Sequence, residues 1–255
     1  MAKMAPRPWY LKQESALEYC KSPVLATERI VWPTIRDLCS PIEGKKVIDI
    51  ASGEGHIARK LKVLGATCTG IDISPTMIKI ASERSEQEGI PIEYLERDAE
   101  NLEGIGNGTY DIALINFLFC NISSREKLSA ICREAYRVTK PNGHVIVPVQ
   151  NSFLTTLFQQ TGRENPLVSY ESCPSNYFAS GDKMTCSLKL SNGDTLRITN
   201  YYWSLEDHVQ SLLDAGFVID ALREPRPSKE VCSESEDFRV AFEIPLYTII
   251  RGYKQ

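Results

Sequence analysis

Apolar and polar positions follow two rhythms along residues 45–150. The runs "KKVIDIA" (45–51), "ATCTGIDI" (66–73), "IPIEYLE" (90–96), "DIALINFLF" (111–119) and "HVIVPV" (144–149) have the length and composition of strands. Between them apolar residues recur at helical spacing: Ile57, Leu61 and Leu64 in 54–65, then Leu128, Ile131, Cys132, Ala135 and Val138 in 123–140. Ser74 reads as an N-cap with Pro75 at the first helical position, and Gly89 can end that helix. Ser123 and Glu126 have capping-box spacing, and "PNG" (141–143) is expected to stop the helix they open. The run 111–119 lacks polar alternation, as a central strand covered on both faces does. Together these predict an α/β fold, Rossmann-like and doubly wound, with a mostly parallel sheet.

After residue 150 the rhythm changes. Residues 152–162 suggest a short helix, and 165–178 are irregular and rich in aromatics. The segments 183–190 and 195–202 flank "SNGD" (191–194), which predicts a β-hairpin with an Asn-Gly turn. A helix follows over 204–216, with Ser204 and Asp207 as a capping box and Gly216 at its end. "FVIDALRE" (217–224) and "EIPLYTIIRGY" (243–253) read as the last strands, and the acidic 225–237 between them as a surface loop. The expected organisation is a helical N-terminal cap (1–43), a ligand-binding core (44–150), an inserted substrate cap (151–202) and the rest of the core (203–255).

Bulk properties narrow the function. The chain has 255 residues, 42% hydrophobic and 24% charged, enough for one large domain with a sizeable core. A net charge of −4 provides no broad basic field, so nucleic acid is not the expected partner. The start "MAKMAPRPWYLK" lacks a signal-peptide core, and the longest apolar run (112–122) is too short to span a bilayer. A cytoplasmic location and no membrane span are therefore expected, with the oligomeric state left open. The 8 cysteines include no CxxC pair, so reduced thiols are expected and no metal site.

In an open parallel sheet the ligand crevice lies beyond the C-terminal strand ends, where strand order reverses. Asp49, Ser52, Gly53, Gly55, Asp72, Asp98 and Asn116 fall at or just past such ends. His144 starts a strand and belongs at the opposite rim; His208, mid-helix beside Asp207, is expected in solvent. Two ligand classes suit a glycine loop followed by an acid. Gly53, Gly55 and Ala58 satisfy a loose G-x-G-x-x-A, with Asp72 19 residues after Gly53, as a dinucleotide site would. A carboxylate at Asp49, however, repels a diphosphate and attracts an ammonium, which favours a nucleoside carrying an amino acid.

The series "VIDIASGEG", "GIDIS", "RDAE", "YDIALINFLF" and "KPNG" resembles the class I S-adenosylmethionine-dependent methyltransferases, specifically the small-molecule, ubiquinone/menaquinone-biosynthesis "type 11" branch. The last helix with "GF" and two following strands is also similar to that family's end. Ala51 departs from the glycine usual at its position, a mild change that should leave the site intact. The resemblance implies a seven-stranded sheet with an antiparallel last strand, S-adenosyl-L-methionine as cofactor and S-adenosyl-L-homocysteine as product. It also implies that Asp49 holds the cofactor's amino group, partly through water, above a backbone at Ala51, Ser52, Gly53 and Gly55 that passes close to its methionine part. Asp72 would take the ribose hydroxyls, Ile73 and Met77 the adenine ring, Asp98 and Ala99 its polar edge, and Asn116 and Phe117 the methionine end.

Methyl transfer from a sulfonium is mainly a matter of alignment in a site that excludes water. An acceptor hydroxyl or protonated amine benefits from a base, for which His56 is the candidate; contact with the cofactor carboxylate or with solvent is the rival account. The small-molecule acceptor should lie between the N-terminal cap (Tyr10, Tyr19, Arg29) and the insertion. There Phe153, Phe158, Tyr170, Tyr177, Phe178, Tyr201, Tyr202 and Trp203 suggest an aromatic pocket for a flat or lipophilic metabolite. The alternatives carried forward are an NAD(P)-dependent oxidoreductase and a non-catalytic S-adenosylmethionine-binding protein.

Overall fold

The computed structural model describes residues 8–21, 27–161, 169–189, 195–234 and 236–255. The N-terminal part carries α1 (Gln13–Lys21), a π-helical turn (Thr27–Val31) and α2 (Trp32–Cys39). Strands and helices then alternate: β1 (Lys46–Ile50), α3 (His56–Val63), β2 (Thr67–Asp72), α4 (Pro75–Gln87), β3 (Glu93–Glu96), β4 (Tyr110–Ile115), α5 (Arg125–Val138) and β5 (Thr139–Gln150). After α6 (Ser152–Thr161) come three strands, β6 (Ser169–Ser172), β7 (Lys183–Lys189) and β8 (Thr195–Tyr201). The chain finishes with α7 (Leu205–Ala215), β9 (Phe217–Arg223), α8 (Lys229–Cys232), α9 (Glu236–Glu243) and β10 (Tyr247–Lys254).

The main sheet has the order β3-β2-β1-β4-β5-β10-β9, parallel except for β10, which runs antiparallel to both neighbours. Strand order reverses between β1 and β4, and the site opens beyond that point. Alternation along β1 explains the layering. Val47 packs with α2, α3 and the α8–α9 segment (Ile35, Leu61, Phe238), whereas Ile48 and Ile50 pack with α5 and α7 (Leu128, Ile131, Leu212). Strands covered on both sides need no polar positions, hence the continuous apolar runs. Strands β6, β7 and β8 form a separate antiparallel sheet.

Several local expectations are corrected. Helix α5 is capped by Ser124, whose hydroxyl accepts from Lys127 N–H (3.5 Å), so the cap sits one residue beyond Ser123. The same helix ends at Val138, and "PNG" is part of β5, where Asn142 takes φ 60° at an irregularity in the β4–β5 register. Residues 169–172 of the segment read as irregular add a strand to the hairpin through Tyr170↔Cys186 pairing. The Asn192–Gly193 turn lies outside the described residues. The expected loop 225–237 holds α8 and the start of α9, with Val231 and Phe238 buried against the core. Their few apolar residues sit in an acidic run too short to show a helical period.

His208 is likewise corrected. It lies on α7 but is only 4% exposed, stacked on Phe119 at 5.6 Å, because α7 packs against α5 and the turn after β4. Burial pushes its imidazole down to about 4, against the pull of Asp207. His144 sits at the other rim, 4.0 Å from Asp220. No helix among the described residues is long and apolar enough to cross a membrane.

Candidate active site

The turn from β1 into α3 uses left-handed backbone at Ala51 (φ 61°), Gly53 (φ 55°) and Gly55 (φ 78°). Glycine takes this conformation freely, whereas alanine pays roughly 1–2 kcal/mol for it. Gly55 is also required by space, since a Cβ there would lie 2.8 Å from Tyr94 Cζ. Beneath the turn, Asp49 is 2% exposed. Burial, with Asp72 and then Glu54 nearby, pushes its carboxyl up to about 8 despite a hydrogen bond from Ala58 N–H. Asp49 Oδ1, Ser52 Oγ and Asn116 Oδ1 are all buried without a hydrogen-bond partner among the described residues.

Asp72 ends β2 in a fixed orientation. Its Oδ2 accepts from Gly53 N–H (2.9 Å) and its Oδ1 from Ser74 N–H (2.8 Å). Burial raises its carboxyl above the ordinary range, while those N–H groups work the other way. Asp98 accepts from Glu100 N–H at 2.9 Å. At the end of β4, Phe117 has φ 51°, an outlier for a bulky residue, and its carbonyl accepts from Asn121 Nδ2 (3.3 Å). Strained backbone of this kind concentrates at ligand sites.

These groups border a cavity of about 690 Å³. Ala51, Ser52, Gly53, Asp72, Ile73, Met77, Asp98, Ala99, Asn116 and Phe117 line it, together with His56; Asp49, beneath the turn, and Gly55, within it, are not part of the wall. Of the expected acceptor residues, Tyr10, Tyr19 and Tyr201 reach the cavity. Phe153 and Tyr177 do not: Phe153 is 61% exposed and packs on Tyr177 at 6.2 Å, while Tyr177 Oη accepts from Leu205 N–H (3.3 Å). Trp203 is buried, with Nε1–H donated to the Ile122 carbonyl (3.0 Å). Arg29 pairs with Glu234 at 3.1 Å, outside the wall. The hairpin instead presents Lys183, Thr185, Arg197, Thr199 and Tyr201, one alternating face of β7 and β8, so that part of the wall is mainly polar, with Tyr201 as its aromatic member.

Two charged clusters escaped the sequence reading because their members are distant in the chain. Glu54, in the loop and 8% exposed, is held by Arg59 (2.9 Å) and Arg84 (2.5 Å), and Arg84 also donates to the Cys20 carbonyl of α1 (3.2 Å). Two guanidiniums compensate the cost of burying that acid. Glu28, in the π-helical turn, accepts from Lys60 and lies 3.1 Å from His56 Nε2. Burial opposes its ionisation, but the hydrogen bonds from Lys60 and His56 prevail and hold it below the usual carboxylate range. Trp9 Nε1–H donates to Asn121 Oδ1 (3.2 Å), joining the N-terminal part to the turn after β4.

Comparison with known proteins agrees with this geometry. The family described as a methyltransferase domain, type 11, matches residues 48–147. The chain is 35% identical over 113 residues to a demethylmenaquinone methyltransferase of Thermus thermophilus, covering 44% of this chain and 50% of that protein. It is 28% identical over 134 residues to a ubiquinone biosynthesis O-methyltransferase of Photobacterium profundum, covering 52% and 56%. The chain thus spans about half the length of the curated relatives it matches. An S-adenosylmethionine-dependent methyltransferase structure from Mesorhizobium loti shares the fold at a TM-score of 0.65 and 16% identity, over 88% of this chain and 97% of that one. Residues 48–147 are thus similar to the type 11 methyltransferase domain, on a fold shared with S-adenosylmethionine-dependent methyltransferases of known structure.

Proposed function

We propose that this protein binds S-adenosylmethionine in the cavity and transfers its methyl group to an oxygen, nitrogen or carbon atom of a small molecule. The observation that carries the reading is the set of unpartnered buried acceptors, Asp49 Oδ1, Ser52 Oγ and Asn116 Oδ1, beneath a loop whose side chains leave room for a ligand. Hydrogen-bond acceptors buried without a donor are costly, and an ammonium supplies donors that a diphosphate lacks. That favours an amino-acid-bearing cofactor over NAD(P).

On this reading Asp49 keeps the amino group, in part through water, and Asp72 accepts from the ribose hydroxyls. The two backbone N–H groups that fix Asp72 leave further acceptor capacity on each oxygen. Ile73 and Met77 pack on the adenine, Asp98 and the Ala99 N–H meet its polar edge, and the backbone around Ala51–Gly55, Asn116 and Phe117 borders the methionine part. When bound, the cofactor supplies a methyl already activated by sulfonium sulfur, so the chain's own task is alignment and exclusion of water. His56 takes the proton of a hydroxyl or amine acceptor. The curated relatives are named for demethylmenaquinone and ubiquinone biosynthesis, and Trp9, Tyr10, Tyr19, Phe117 and Tyr201 give this cavity aromatic surfaces for a ring of that kind.

Calorimetric titration with S-adenosylhomocysteine and with NADH, followed by a metabolite screen for S-adenosylhomocysteine release, tests the proposal. Binding of the thioether nucleoside and turnover with a quinol-type acceptor are expected. A site that ignores it and takes NADH refutes the assignment, and binding without turnover across the screen favours a sensor.

A further inference from the structure

The contact between Glu28 and His56 has no structural necessity in the sheet. The two residues come together because Ile30 and Val31, buried on the same π-helical turn as Glu28, seat that turn on the core beside the start of α3. Thr27, next to Glu28, lines the cavity, and so does His56. We infer that Glu28 is a positioning residue for His56, fixing the orientation and tautomer in which the ring accepts a proton from the methyl acceptor. The inference rests on the methyltransferase reading given above.

An ionised carboxylate only accepts hydrogen bonds, so a neutral His56 facing it at 3.1 Å carries its proton on Nε2. Nδ1 then holds the lone pair, and it has no hydrogen-bond partner among the described residues. Glu28 stays ionised because Lys60 binds both its oxygens, and Lys60 is itself held over the Trp32 ring at 4.8 Å. Glu54, two residues before His56 in the chain, has its own charge engaged by Arg59 and Arg84. The logic is that of an acid orienting a histidine base and stabilising the imidazolium it becomes. The acceptor's proton passes to His56 Nδ1, and the pair left on oxygen or nitrogen forms the bond to the methyl carbon. The pair of the breaking sulfur–methyl bond stays on sulfur.

The rival role for His56, contact with the cofactor carboxylate, requires a proton on Nδ1, either in the Nδ1–H tautomer or in an imidazolium that also keeps Nε2–H toward Glu28. That difference is measurable. The chain has 3 histidines, so nitrogen-15 spectra of labelled protein, with His56→Gln to assign the signal, report its tautomer without any acceptor. We expect the Nε2–H form in the wild type, retained in Glu28→Gln, whose carbonyl still accepts, and lost in Glu28→Ala. With an acceptor in hand, Glu28→Ala should lower kcat roughly 10- to 100-fold, part of what a general base supplies. Glu28→Gln should fall between, and S-adenosylhomocysteine affinity should stay within about threefold in both, which also shows that they fold. An Nδ1–H ring in the wild type, a tautomer indifferent to Glu28→Ala, or cofactor affinity that falls in step with kcat would each overturn the inference. A failed acceptor screen counts against the methyltransferase reading and leaves the tautomer result to decide the role of Glu28.

Discussion

On the proposed assignment, replacing Asp72 by alanine removes the acceptor of the cofactor's ribose hydroxyls. The carboxylate is already oriented by Gly53 and Ser74 N–H groups at 2.9 and 2.8 Å, so ribose hydroxyls meet an acceptor that needs no reorganisation. A hydrogen bond to a charged acceptor contributes about 1.5–3 kcal/mol, and two of them about 3–5 kcal/mol once non-additivity is allowed for. That corresponds to a loss of roughly 10²- to 10⁴-fold in S-adenosylhomocysteine affinity. The substitution also strips Gly53 and Ser74 of their acceptor, at about 1–3 kcal/mol each for a group left unsatisfied, partly offset because a buried carboxylate disappears. A melting temperature lower by a few degrees is therefore expected alongside the weaker binding. Asp72→Asn, which keeps the shape but turns an NH₂ toward one backbone donor, should fall between the two. Titration calorimetry on folded protein decides the matter: an Asp72→Ala dissociation constant within about threefold of wild type would refute the ribose assignment.

Two further outcomes follow from buried titrating groups. Asp49, with its carboxyl pushed up to about 8, is mostly protonated at neutral pH in the free protein; an ammonium beside it favours the anion, so cofactor binding should release a proton below that pH. Binding heats in buffers of different ionisation enthalpy should diverge for wild type and coincide for Asp49→Asn, and coincidence in the wild type sinks the claim. His208 is depressed from 6.5 to about 4, so the unfolded chain takes up its proton first and this contribution to stability, full above 6.5, is lost as pH falls toward 4. Urea midpoints at pH 7 and 5 should differ less in His208→Gln than in wild type, and an unchanged difference would discard the assignment.

The parallel core was legible because strands sheltered on both faces have no polar positions to obscure them, and because an acid at a strand end has few structural uses. Asp49 and Asp72 were singled out that way, and Asp72 lines the cavity. The alanine at position 51 was also legible as a departure, and φ 61° there explains why glycine is the easier choice. What stayed hidden depended on partners remote in the chain. The capping box of Ser204 with Asp207 could be read locally, but the pairing of Asp207 with Arg125 of α5 and the burial of His208 beside it could not. The aromatic run Tyr201–Tyr202–Trp203 could be split between faces by its alternation, but only the docking of the hairpin decides that Tyr201 looks into the cavity. Ion pairs such as Glu28 with Lys60, or Glu54 with Arg84, leave no local trace at all.

The position of β10 bears on how the protein is made. This strand lies inside the sheet, between β5 and β9, so a growing polypeptide still on the ribosome short of residue 247 has both of those strands waiting with open edges. Open edges invite pairing with other chains. Insertion of residues 247–254 between them is thus the step that pairs the facing edges of β5 and β9.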